Sequence, residues 1–317
     1  MTDSAALTTG EPGAGPAPAQ GGELFLARLR LICALAMAAA VFWYVGWWAV
    51  RPIDPQGPIS LLMIDQGVIA MAKLLGLAVV TSGLAVAICG EGAAERGPLA
   101  IGVGLAALGL RGAQLDRLIL YRNTLLPGSV ANGGISFPTW ELVAECWLWL
   151  ALIAVGFVVG RWVESWSSPG RPSPPADQSS DVRQGLGTIA VTALVAWAVL
   201  AYSVGSDADR ILKGQVYFAI GISFLVGGMV AHAVLRTTSR MWGLVAIPLV
   251  VSVAYLLGRP EDATLAVSHG AYVSLKPLAQ PLPLEFAALG SVGILLETDA
   301  IRWLRSLFGL STADRPS

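Results

Sequence analysis

The chain has 317 residues, 55% of them hydrophobic and only 13% charged, with a formal net charge of -1. Soluble domains carry about 25% charged residues, so this composition, with a mean hydropathy of +0.67, excludes an ordinary soluble globule. With no basic stripe to track phosphates, a nucleic-acid partner is excluded as well.

Residues 1–22 (MTDSAALTTGEPGAGPAPAQGG) lack any apolar region and a basic start, so they read as a disordered tail rather than a targeting peptide. Apolar runs then follow one another, most of them near the ~20 residues that a helix needs to cross the hydrocarbon core. The predicted spans are Phe25–Val50, Val68–Gly90, Pro98–Tyr121, Pro138–Arg161, Gly185–Gly205, Gly214–Arg236, Trp242–Gly258 and Leu282–Glu297. Leu31–Val50 carries no charge, and Val68–Gly90 carries only Lys73. The last two runs are shorter than a comfortable crossing.

A Ser/Pro/Asp-rich stretch between the fourth and fifth runs divides the chain near its middle. The predicted layout is a first transmembrane half at 23–166, a disordered linker at 167–183 and a second half at 184–297. An amphipathic tail occupies 298–317, with Ile301, Leu304 and Leu307 on one side and Arg302 and Arg305 on the other. The fold class is therefore an all-α polytopic membrane bundle of about eight helices. The Lys/Arg distribution places both termini and the linker in the cytoplasm, and a bacterial inner membrane or a plasma membrane is the default location.

The halves also resemble each other. Placing Gly83 on Gly228 puts Gly76 on Gly221 and Leu99 on Leu244, and Pro138 falls on Pro283. Four spans per half makes this the parallel class of repeat. Arg259 and Glu285 are then second-half counterparts of the first-half charges.

Ionisable groups inside a bilayer cost about 2.5–3.5 kcal/mol or more at the helix centre, which makes them pointers to function. The candidate polar intramembrane site comprises Lys73, Arg111, Asp116, Glu141 and Glu145, all expected in the outer half of the second to fourth spans. Glu141 and Glu145, four residues apart, share one helix face. Two readings compete, and repeated charge in so costly an environment ranks the first slightly ahead. In one, these groups line an outward-opening cavity of a secondary transporter or channel-like protein for a small polar solute. In the other, they are buried salt bridges in a non-catalytic accessory subunit that docks a membrane-protein partner.

Enzymatic chemistry finds no support. The chain lacks a P-loop and a Gly-x-Ser-x-Gly elbow, and Cys33, Cys89 and Cys146 are too scattered for a metal cluster. His232 and His269 are expected on opposite sides of the membrane, which argues against a paired site. No catalytic residue, cofactor or metal is predicted.

Overall fold

The computed structural model describes residues 21–52, 57–62, 67–90, 93–119, 137–167, 182–204, 212–235, 240–258 and 275–307. Among the described residues all regular structure is helical. Helix α1 (Gly21–Val41) continues through a π turn at Phe42–Gly46 into a last turn at Trp47–Val50. It is followed by α2 (Gly67–Cys89), α3 (Arg96–Arg111), α4 (Thr139–Ser167), α5 (Val182–Val204), α6 (Lys213–Leu235), α7 (Arg240–Leu257) and α8 (Pro283–Leu307).

Six of these helices, α1, α2 and α4 to α7, are long and apolar enough to cross a membrane. The other two fall short for different reasons. Helix α3 has 16 residues, about 24 Å of rise against a hydrocarbon core of about 30 Å. Helix α8 is long but carries Glu285, Glu297, Asp299, Arg302 and Arg305. Large apolar side chains cover the outside of the bundle, including Leu75, Val80, Leu194, Phe218 and Val234. Water does not tolerate apolar surface on that scale; lipid does.

Helix α8 occupies the centre, packed against α3, α4, α6 and α7. Helices α1 and α2 flank α3, α2 also lies on α4, and α5 covers α6 and α7. In lipid no hydrophobic force drives helices together, so close backbone approach supplies the cohesion. Gly156 on α4 meets α3 so closely that a Cβ would stand 2.7 Å from Pro98 Cα and 2.8 Å from its nitrogen. Gly293 on α8 meets α6 in the same way, with a Cβ 2.5 Å from the Gly221 carbonyl oxygen and 2.8 Å from Leu225 N.

The third apolar run was expected to continue to Tyr121, but α3 ends at Arg111. Gly112 turns extended (φ -76°, ψ 166°), its N–H bonding back to Gly109 O. Beyond it, Ala113 N donates to Gly57 O at 3.2 Å and Leu115 N to Gln280 O at 3.4 Å. The chain is helical again over 115–119, and three separate segments thus satisfy one another's backbone groups, as a low-dielectric surrounding demands. The tail expected to begin at Thr298 is, as far as Leu307, a continuation of α8. Most of residues 1–22, most of the 167–183 linker, Arg259 and His269 lie outside the described residues.

Candidate functional site

Charged side chains gather at the two ends of the bundle. At the end where α3 terminates, Glu145 is fully buried one and a half turns into α4. Its carboxylate accepts hydrogen bonds from Ser60 Oγ at 2.6 Å, Leu61 N at 2.9 Å and Trp149 Nε1 at 3.1 Å. The segment 57–62 makes this cradle by folding inward beyond the end of α1, with Ile59, Ser60 and Leu61 buried. Trp149 lies one turn further along α4, on the same face as Glu145.

A second buried carboxylate, Glu285, starts α8 and is 1% exposed. Its Oε2 accepts the Leu282 N–H at 2.9 Å, as an N-terminal capping carboxylate does. Its Oε1 has no hydrogen-bond partner, and Lys213 Nζ lies 3.6 Å away. The Lys213 ammonium instead donates to Gly109 O at 2.8 Å and to Gly112 O. Tyr217, one turn along α6, donates to Ala106 O at 3.1 Å. Helix α6 thereby fastens the C-terminal end of α3. Tyr255 is fully buried, donates to Pro281 O at 2.8 Å and meets Phe286 edge-on at 6.1 Å.

Arg111 ends α3 beside the π turn of α1. Its Nη1 donates to Trp43 O at 2.8 Å, and its guanidinium lies 4.5 Å from the Trp47 ring and 5.8 Å from the Trp43 ring. The wider π turn puts both indoles against one cation. Lys73 is exposed, its ammonium 4.8 Å from the Trp48 ring. Exposed cation–π contacts are worth about 0.5–1 kcal/mol each. Arg111→Gln is therefore expected to cost only about 1 kcal/mol by thermal unfolding in detergent.

The candidate site residues are thus not gathered into one cluster. Among the described residues, no ion pair joins Lys73 or Arg111 to Glu145 or Asp116. Asp116 accepts the neighbouring Arg117 N–H at 2.8 Å. Glu141 is exposed although Glu145, on the same face, is buried. Of the two second-half counterparts, Glu285 is among the most buried ionisable groups of the bundle.

The opposite end carries a network that the sequence pattern did not single out. Arg96 Nη1 meets Asp299 Oδ2 at 2.8 Å, and Arg240 Nη1 meets Glu95 Oε2 at 2.5 Å while its Nη2 donates to Thr298 Oγ1. These bonds tie the starts of α3 and α7 to α8. Glu95, Arg96 and Arg240 sit at helix starts, and Thr298 and Asp299 just past the predicted end of the last span, where a charge reads as merely reaching for water. Lys213 and Ser60 escaped notice similarly, one as a charge at a span edge and the other as part of a loop. No group of three or more His, Cys, Asp or Glu side chains able to hold a metal occurs among the described residues. Compared with protein-family models, with curated proteins and with solved structures, the chain matches none.

Proposed function

We propose that this protein is a non-catalytic structural subunit of a membrane assembly, an eight-span bundle of two parallel four-helix halves held together by buried charges. The observation that carries this reading is Glu145, whose fully buried carboxylate is satisfied by the protein's own donors. Lys213, half-buried, likewise spends its charge on backbone carbonyls. Groups engaged in this way act as fastenings, because removing either partner leaves an uncompensated buried charge or donor.

Helix neighbours support the two halves. Helix α1 packs on α2 and α3, and α4 on the same two; α5 packs on α6 and α7, and α8 on the same two. Across the divide, α3 against α8 matches α7 against α4, with α4 against α8 at the centre. A two-fold axis along the membrane normal would produce these shared neighbours, although among the described residues α2 packs on α3 while α6 and α7 make no comparable contact.

A transporter or channel for a small polar solute is the second reading, favoured by two features. Glu285 Oε1 is buried without a hydrogen bond, and irregular backbone enters the bundle around a broken helix, as it does at transporter binding sites.

An impermeant, positively charged thiol reagent separates the two on a background lacking Cys33, Cys89 and Cys146. Cysteines at Ser60, beside Glu145, and at Ala106, beside Tyr217, stay unlabelled in a dry bundle. Labelling at both sinks the structural reading and makes a solute flux assay the next step. The subunit reading also expects a second protein in fixed stoichiometry when the chain is extracted with its native lipids; a lone chain in such particles counts against it.

A further inference from the structure

The N-terminal end of a helix carries partial positive charge and its C-terminal end partial negative charge. Lys213, the first residue of α6, therefore stands where its own helix disfavours a cation. What holds it there lies on other helices. The ammonium donates to the carbonyls of Gly109 and Gly112, at and just past the last turn of α3, and faces the unbonded Oε1 of Glu285 at 3.6 Å. Gly109 O also accepts the Gly112 N–H, so the ammonium takes its second lone pair; with Gly112 O and the carboxylate these oxygens form a cage for a cation. The Lys213 side chain is 22% exposed while Glu285 is 1% exposed, so the lysine leads from one end of the bundle to a buried carboxylate.

We propose that Gly109 O, Gly112 O and the Glu285 carboxylate form a binding site for a small monovalent cation, and that the ammonium of Lys213 is its tethered occupant. The proposal goes beyond the structural reading and does not depend on it, since a rigid subunit and a transporter could equally contain such a site. Lys213 differs from a plain salt-bridge partner in where its hydrogen bonds go. Two go to backbone carbonyls that no side-chain substitution removes, so the site persists when the lysine is gone. Tyr217, bonded to Ala106 O one turn deeper, closes the inner side.

The test is chemical rescue of the full chain in detergent, read as thermal unfolding at constant ionic strength set with tetramethylammonium chloride. Lys213→Ala is expected to unfold several degrees below the wild type, and methylammonium chloride is expected to restore most of the loss. Sodium and potassium form separate arms: rescue by either shows that the cage takes metal ions, and rescue by methylammonium alone shows that it selects hydrogen-bond donors. The wild type, whose cage is filled, is expected not to respond. In Lys213→Ala/Glu285→Gln the rescue is expected to weaken severalfold. A folded Lys213→Ala that no small cation stabilises overturns the proposal.

Lys213→Met covers the case in which Lys213→Ala cannot be recovered folded. It keeps the bulk of the stem and leaves both carbonyls and the carboxylate without a cation. The proposal expects it to melt clearly below the wild type; equal melting temperatures overturn it.

Discussion

Replacing Glu145 by alanine is expected to be the most damaging single substitution at the Glu145 end of the bundle, at about 3–5 kcal/mol. Three donors converge on this carboxylate, and all three are buried with it. Each donor left without an acceptor costs about 1–3 kcal/mol, and the void left by a methylene and a carboxyl group adds to that. Glu145→Gln can keep the Leu61 and Trp149 bonds with its carbonyl oxygen and donate its NH2 to the Ser60 hydroxyl, which also accepts, so less than half the loss is expected. Cys146, next in sequence and fully buried, is the reporter. With Cys33 and Cys89 replaced, its reaction with a thiol dye during heating follows the opening of this region. If Glu145→Ala melts with the wild type, the cradle contributes nothing and the structural reading loses its main support.

The second large effect concerns the backbone contacts. Gly156→Val and Gly293→Val are each expected to cost well over 2 kcal/mol. The obstructing atoms are Pro98 backbone in one case and Gly221 and Leu225 backbone in the other, and no rotamer change can move them. Gly76 on α2 is the control, because a Cβ there meets nothing within 4 Å. Gly76→Ala removes only a weak helix former and is expected to raise stability, by up to about 1 kcal/mol. Opposite signs at Gly76 and at the two contact glycines, read by the same thermal assay, check the account. Equal shifts at all three would remove it.

How far the sequence foretells this molecule depends on which physical rule acts. The helices were legible because span length is set by bilayer thickness, and every predicted run overlaps a helix. The end of α3 was not legible, since hydropathy continues to Tyr121 and the break comes from Gly112 and its bonds to segments distant in sequence. Glu145 stood out as an acid in an apolar run. Its partners did not, because Ser60 and Leu61 occur in a proline-rich stretch that hydropathy assigns to the surface. The Arg111 contacts needed a π turn, which has no sequence signature of the kind that caps and breakers leave. Lys73 and Arg111 were grouped with the acids by depth alone, whereas nearby indoles offered contacts that cost no burial of charge.

The central position of α8 has a consequence for how the molecule is made. Helix α8, at the centre of the bundle, comes after the other seven in the chain, and it is one of the two that fail the test of length and apolarity. Insertion machinery reads each segment by its partition into lipid, and Glu285, Glu297 and Asp299 weigh against α8 on that scale. Several of its polar groups meet counterparts on α3, α6 and α7: Lys213 for Glu285, Arg96 for Asp299 and Arg240 for Thr298. Biogenesis therefore resembles setting a keystone. The seven helices before it would stand as an open arch in the bilayer, which α8 enters as a ligand of its own chain.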